Sequence, residues 1–383
     1  MKILQLAKYP PTSSGGIEKL TSQYSKDLFN DQTRLDILCF QEHSKSRFEI
    51  YNSHTVYRAR TLLKLFSVPI SIHNLYFLKK VIENYEIIHL HLPNPLSIIY
   101  TLLTIKPWQK LSIHYHADVS HKFGSFLYDS LLKRILRRAN GIIFTSNSLA
   151  NTLDLSDVSL TRKIIPLYLS KSDFKEPYID IIDDSLVKLS ERKNILFVGR
   201  LVKYKCVDKL IKSFKQLREK HDDINLILLG SGVESGRINN LITKLGLCEK
   251  IYSITNADDN TKKLFLSKAE FLVLPSTTPE EAFGYVQLEA MAFCTPVISF
   301  QIPRSGVSEI NIDGKTGICL PISSNDDSQV LSLSSAMDIL LRNKDMRDNY
   351  SVNCKKHASK FLSEKIIPDI QNYFDNLFKS NIN

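Results

Sequence analysis

Short, almost wholly apolar runs, each followed by a longer stretch with helical spacing, constrain this chain more than any other feature. The spacing predicts strands at Lys2–Leu6, Leu35–Phe40, Ile87–His91, Leu111–His116 and Gly141–Ser146 in the first half. In the second half it predicts Asn194–Val198, Asn225–Leu229, Glu249–Ile254, Phe271–Pro275 and Pro296–Phe300. A strand that is apolar all round needs cover on both faces, which is the condition of a parallel sheet flanked by helices. Helical patterns lie between the runs, as at Ile17–Phe29, Val207–Lys220 and Glu234–Leu245. Alternation of this kind implies a doubly wound α/β architecture.

At 383 residues the chain is too long for one compact core and fits two. The stretch Lys171–Asp184 interrupts the alternation: it is rich in Asp, contains Pro177, and is followed by a fresh strand. We therefore expect a first Rossmann-like domain over residues 1–168, a linker over 169–192, a second such domain over 193–355 and a helical tail over 356–383. In the tail, Phe361, Ile366, Ile367, Ile370 and Phe374 recur at roughly helical spacing.

The formal net charge of +10 suits a partner that carries phosphate. Nucleic acid is disfavoured, because the cations gather at strand ends and in one amphipathic stretch, without interleaved aromatics or a recognised module. The six cysteines are scattered with no C-x-x-C pair, which points to reduced, buried thiols in a cytosolic protein rather than to a metal site. No secretory signal is read after Met1-Lys2. The longest apolar stretch, around Pro95 to Ile105, falls far short of the roughly 20 residues that span a bilayer, so any membrane association is expected to be peripheral.

Three segments carry chemistry. The first is the turn Tyr9-Pro-Pro-Thr-Ser-Ser-Gly-Gly-Ile-Glu18, where Gly15 and Gly16 let backbone amides approach an anion at a helix N-terminus. It is not G-x-G-x-x-G, so the dinucleotide fingerprint is absent and an oxidoreductase reading of the Rossmann pattern is disfavoured. The second is Phe197-Val-Gly-Arg-Leu-Val-Lys-Tyr-Lys205, where Arg200 and Lys205 follow a strand and offer a fork and a point charge to a diphosphate. Without context they are equally two solvated loop cations. The third runs from Leu274 through Glu281, Phe283, Gly284 and Tyr285 to Glu289, with a helix expected to start near Tyr285 or Val286. Its loop amides and helix dipole favour an anion, and its two carboxylates can accept hydrogen bonds from hydroxyls. The plain alternative is a pair of N-terminal acids that serve the helix dipole.

Together these segments resemble the retaining glycosyltransferases of family 4, the glycosyl transferases group 1 enzymes, of the bacterial surface-polysaccharide type. The third segment matches their E-x7-E, the second their G-R-L-x-x-x-K-G loop and the first their N-terminal Gly-Gly loop. The resemblance covers essentially the whole chain. It implies a GT-B fold, two Rossmann-like domains facing across a cleft, with the C-terminal helix crossing back to the first domain. It implies that the second domain binds a nucleotide-diphosphate sugar and the first an acceptor. Arg200 and Lys205 would hold the diphosphate, Gly15 and Gly16 would lie under the diphosphate or sugar, and Glu281 would contact the donor sugar. The amides of Phe283, Gly284 and Tyr285 would lie beside it, and Glu289 would bind the ribose.

The segment Ile113-His-Tyr-His-Ala-Asp118 is similar to the H-S-D or H-A-D segment of the same enzymes, with His116 as the residue near the reacting centre and Lys122 following it. His114 is expected to face the other way, and His89 and His91 to be structural or acceptor-side. Departures from the family pattern are Cys206 and Cys294 where glycines are usual, and Ser305-Gly306 in place of a Gly-Gly. Glu309 is retained.

The stretch Asp129–Arg138 would carry Lys133, Arg134, Arg137 and Arg138 on one face of a helix, as would suit anionic lipid headgroups. A second basic and apolar patch runs from Arg58 to Lys80. Solvated surfaces packed on the domain core are the alternative for both. The expectation is a cytoplasmic hexosyltransferase, peripheral on the inner face of the membrane, that serves O-antigen, lipopolysaccharide or capsule synthesis. It would use no cofactor and no metal, take a nucleotide sugar with GDP-mannose favoured, and act on a lipid-linked saccharide. A transferase acting on a small sugar or glucan is the alternative.

Overall fold

The computed structural model describes residues 1–12, 16–28, 32–41, 46–51, 54–65, 68–118 and 125–380. The chain forms two α/β units: one holds Met1–Tyr168 together with the C-terminal helix Ser363–Lys379, the other Leu169–Leu362.

Strands of the first unit are β1 (Lys2–Leu6), β2 (Arg34–Gln41), β3 (Arg47–Tyr51), β4 (His54–Arg60), β5 (Leu63–Leu65), β6 (Val68–Ile70), β7 (Ile87–Leu92), β8 (Lys110–Tyr115), β9 (Gly141–Phe144) and β10 (Thr161–Ile164). The main sheet has the order β10-β9-β8-β7-β1-β2-β4-β3, with every pairing parallel except β3 on β4; β5 and β6 form a separate antiparallel hairpin. The core strands β7 and β8 are buried at every position. Residues such as Leu90, Ile113 and Phe144 make the core, and each fully buried side chain of this kind contributes roughly 1.5–3 kcal/mol.

The C-terminal helix belongs to this unit because its apolar stripe is spent there. Ile366, Ile370, Tyr373, Phe374 and Leu377 are buried, at the spacing of one helix face. The Tyr373 hydroxyl lies 2.8 Å from Ser112 Oγ in β8, and the Phe374 ring packs edge-on to His89 at 5.1 Å. The tail is two helices rather than one continuous run, because Lys344–Ala358 ends in a 3-10 turn and extended Leu362 before Ser363 restarts it.

The second unit holds β11 (Lys193–Val198), β12 (Ile224–Leu229), β13 (Ile251–Ile254), β14 (Phe271–Leu274), β15 (Val297–Phe300) and β16 (Gly317–Leu320). Its sheet is wholly parallel, in the order β13-β12-β11-β14-β15-β16. Helix Val207–Leu217 shows why the pattern was legible: Val207, Leu210, Ile211, Phe214 and Leu217 are buried at i, i+3, i+4, i+7 and i+10, and Asp208 stands in the first turn. Residues 169–192 carry two 3-10 turns and the helix Asp184–Ser190.

Both sheets reverse direction of growth next to their first strand. In the first unit the reversal lies between β1 and β7, in the second between β11 and β14. Loops that leave the carboxyl ends of such strand pairs diverge to opposite faces and open a crevice, which is where ligands bind in open α/β sheets.

Candidate active site

The second-unit crevice brings two distant loops together. The loop after β11 is held by backbone bonds from Gly199 to Leu229 (2.9 Å) and from Leu201 to Ser231 (2.9 Å). A Cβ at Gly230 would collide with the Gly199 carbonyl, so glycine is required at this approach. The loop then turns through the 3-10 segment Lys203–Lys205 and directs Lys205 inward. Its Nζ lies 2.5 Å from Glu281 Oε2, in the loop after β14, with side chains only 10% and 9% exposed.

Glu281 is fixed from several sides. Ser276 Oγ donates to the same Oε2 at 2.9 Å, Ser305 Oγ donates to the Glu281 carbonyl, and the Gly306 amide donates to the Ala282 carbonyl at 2.7 Å. A buried ion pair adds little net stability, because desolvation offsets its attraction. What it does here is hold a cation and a carboxylate in a sheltered place with fixed geometry. Phe283 is buried, and Gly284, at φ 71°, turns the chain into the helix Tyr285–Ala292. A Cβ at Gly284 would fall 2.5 Å from Gln287 Nε2 and 3.0 Å from Leu274 Cδ2, so this corner also needs glycine.

Glu289, a turn into that helix, pairs with Lys262 at 3.0 Å, and Lys262 also pairs with Asp259 at 3.1 Å. Arg200 does not join the Lys205–Glu281 contact: it is exposed, with Nη2 3.4 Å from the Tyr204 hydroxyl. The two loop cations expected to hold the diphosphate therefore occupy different surroundings, one sheltered and one open.

The cysteines at the usual glycine positions keep a glycine-like backbone. Cys206 has φ 51° and Cys294 φ 63°, both left-handed. Ser305, by contrast, is not among the left-handed residues, although its neighbour Arg304 is, at φ 62°. Left-handed φ costs an L-residue roughly 1–2 kcal/mol, and glycine returns part of it as unfolded-state entropy. Cys206→Gly and Cys294→Gly are therefore each expected to raise stability by roughly 0.5–1 kcal/mol in denaturant unfolding. A lower midpoint for both would show that their thiols hold the loops better than the backbone strains them.

In the first unit, β7 and β8 pair with His91 opposite His114, and His89, His91, His114 and His116 meet on one face. His114 was expected to face away from His116; it stacks on it with ring centroids 4.0 Å apart. The reason is the pleat: residues two apart on a strand share a face, and only adjacent ones alternate. His91 Nδ1 lies 2.9 Å from His116 Nε2, His91 Nε2 lies 3.0 Å from Gln5 Oε1, and His89 Nδ1 lies 2.9 Å from Ser112 Oγ. Burial pushes His91 down to about 3. Burial first, and neighbouring rings second, push His89, His114 and His116 well below the usual histidine range. All four are neutral at neutral pH.

Ring nitrogens of His89, His91 and His114 lie within 4.8 Å of one another, the spacing of a possible shared ion. Both nitrogens of His91 are already engaged and His89 Nδ1 meets Ser112, which leaves His114 as the one ring of the three with neither nitrogen engaged, and we assign the trio no ion. Gly16 opens the helix Gly16–Asp27, and a Cβ there would meet nothing within 4 Å, so its role is not enforced by packing. Gly15 and Lys122 lie outside the described residues.

Helix Ser125–Arg138 exposes Lys133, Arg134 and Arg137 together with Phe126 and Leu127, which are 82% and 72% exposed. At 100° per residue these five fall within one face. Arg138 leaves that face: it is half-buried, and its Nη2 donates to the carbonyls of Lys106 (2.8 Å) and Gln109 (2.9 Å). Arg58, read as part of a second basic patch, is buried and paired with Glu49. No helix among the described residues is long and apolar enough to cross a membrane.

Comparison with known proteins bears on the same residues. The family model "Glycosyl transferases group 1" matches residues 179–357, and "Glycosyltransferase Family 4" matches 14–159. O-antigen chain mannosyltransferase C of Escherichia coli is 26% identical over 389 residues, spanning 99% of this chain and 100% of that protein. D-rhamnosyltransferase WbpZ of Pseudomonas aeruginosa is 26% identical across 84% of this chain and 83% of its own. Among solved structures, sucrose-phosphate synthase from Thermosynechococcus elongatus aligns at a TM-score of 0.80 and 19% identity, over 99% of this chain and 100% of that one. HepE of Anabaena in complex with UDP aligns at 0.75 and 17% identity, over 98% and 100%.

Proposed function

Because the chain belongs to the glycosyl transferases group 1 family, with the GT-B fold and the surface-polysaccharide type of activity, we propose that it moves a hexose from a nucleotide-diphosphate sugar to a lipid-linked saccharide with retention of configuration. The observation that carries this reading is the sheltered Lys205–Glu281 contact at the second-unit switch point, one loop ahead of a helix N-terminus. GDP-mannose is the favoured donor, supported by the relatives named for mannose and D-rhamnose.

In this reading the bond between the anomeric carbon and the diphosphate oxygen breaks, negative charge grows on the departing diphosphate, the acceptor hydroxyl oxygen bonds to the anomeric carbon, and its proton passes to the diphosphate. Lys205 from its sheltered position, Arg200 from the open loop and the N–H groups of Phe283, Gly284 and Tyr285 oppose that charge, which is the electrostatic part of catalysis. Glu281, oriented by Ser276 and Lys205, accepts hydrogen bonds from sugar hydroxyls. Glu289 accepts from the ribose. The fixed cations serve where a metal otherwise would, and no cofactor enters the scheme.

A nucleotide at about 100 times its Kd adds roughly 2.7 kcal/mol to stability. Thermal shift against UDP-, GDP-, ADP- and TDP-sugars is expected to single out one base. No shift with any of them would argue against the donor site.

The acceptor reading rests on the exposed face of helix Ser125–Arg138, where cations and two bare apolar side chains suit an anionic lipid surface. Lys133→Glu, Arg134→Glu and Arg137→Glu together are expected to abolish flotation with phosphatidylglycerol vesicles, at roughly 1 kcal/mol lost per cation removed. Undiminished flotation would assign the face to solvent.

A further inference from the structure

The hydrogen-bond chain from Gln5 to His116 has a direction, and main-chain chemistry sets it. Gln5 Nε2 lies 3.2 Å from the Thr21 carbonyl and 2.7 Å from Ser25 Oγ, both on helix Gly16–Asp27. A carbonyl only accepts, so the amide nitrogen faces the helix and Oε1 faces His91. Turning the amide over would set two acceptors against each other at that distance. Oε1 also only accepts, so His91 Nε2 carries a proton and donates across the 3.0 Å contact. Neutral His91 then has a bare Nδ1. Across 2.9 Å, His116 must donate from Nε2.

We infer that Gln5 and His91 are positioning residues that hold His116 as its Nε2–H tautomer, so that His116 Nδ1 presents a lone pair to a hydroxyl of the bound saccharide. The saccharide in this statement rests on the function proposed above; the tautomer rests on the hydrogen bonds alone. His116 Nδ1 makes no hydrogen bond among the described residues, which leaves it the acceptor end of the chain.

The end group decides what the chain can do. A carboxylate behind His91 would stabilise an imidazolium and let His116 take up a proton. Gln5 is an amide, which neither accepts that proton nor supplies a negative charge. The three neighbouring rings, His89, His91 and His114, and the buried Tyr24 beside them bring no negative charge either. His116 therefore orients a hydroxyl by accepting its hydrogen bond and does not carry the proton away. The chain also ties His116 to helix Gly16–Asp27, because the two anchors of the amide, Thr21 and Ser25, stand on that helix.

The test is a long-range 1H–15N correlation of the imidazoles in the full-length 15N-labelled protein at neutral pH, with transfer kinetics on Gln5→Leu. In the wild type, His91 and His116 are each expected to show a protonated Nε2 and a bare Nδ1. A protonated Nδ1 on His116, or signals averaged between tautomers, would overturn the proposal without touching the transferase reading. Gln5→Leu is expected to lose the single His116 tautomer and to lower kcat about tenfold, the worth of one hydrogen bond, while the nucleotide Kd stays unchanged. An unaltered tautomer in Gln5→Leu would overturn it too, and the wild-type spectrum decides the matter even if that variant does not fold. If the tautomer is as expected but His116→Ala transfers sugar at the wild-type rate, the chain stands and the saccharide contact fails.

Discussion

Glu281→Ala is expected to lower sugar transfer about a thousandfold and, in the same variant, to cost roughly 3 kcal/mol of stability. The two losses have different causes. Transfer falls because the carboxylate that meets the donor sugar is gone. Stability falls because Lys205, 10% exposed, is left as a buried charge without its partner. The Ser276 hydroxyl loses its acceptor at the same time. The causes separate in the double variant Glu281→Ala with Lys205→Met, which removes the orphaned cation. It is expected to recover most of the stability in denaturant unfolding and none of the transfer. A double variant no more stable than Glu281→Ala would mean that the Lys205 ammonium finds water or another partner, contrary to the sheltered geometry.

Glu289→Ala is expected to behave differently, raising the nucleotide Kd about thirtyfold by calorimetry while kcat at saturating donor changes little. Hydrogen bonds to a charged acceptor contribute roughly 1.5–3 kcal/mol, which spans that factor. Ribose does not change between ground and transition states, so its loss is uniform binding and appears in affinity. The fold is expected to survive, because Lys262 keeps Asp259 at 3.1 Å and is not stranded. A fall in kcat with an unchanged Kd would place Glu289 at the reacting centre rather than the ribose.

How much of this was legible before the structure depends on whether the signal is local. Strands such as β7, β8 and β12 are buried at every position, so a run of apolar residues announces them. The edge strands β3 and β10 were not visible: Arg47, Arg162 and Lys163 lie in them exposed, and an edge strand is set by its neighbour's backbone, not by an apolar pattern. The C-terminal helix was legible as a helix from its spacing. That its apolar stripe is spent in the first unit, on Ser112 and His89, follows from three-dimensional packing that the resemblance implied and spacing alone did not.

The candidate site divides the same way. Glu281, Glu289, Lys205 and Gly284 stand out as residue types at telling spacings. The contact between Lys205 and Glu281 joins residues 76 apart, and only the adjacency of β11 and β14 makes it. Ser276 and Ser305, which hold Glu281, carry no pattern of their own. Gly230-Ser-Gly232 was a usable signal left unread, since a glycine pair after a strand marks close backbone approach. On β8 the misreading was of register: a two-residue step returns to the same face, and with it His114 joins His116.

The central claim is that this chain transfers a hexose from a nucleotide sugar. It is tested most directly by incubating the protein with a bacterial lipid extract and, separately, GDP-mannose and UDP-, ADP- and TDP-hexoses. Nucleoside diphosphate release and sugar in the lipid fraction are measured together. With one donor, the two are expected to rise in equal amounts, and both to vanish in Glu281→Ala. Release with none of the donors, or equal release by Glu281→Ala, would contradict it.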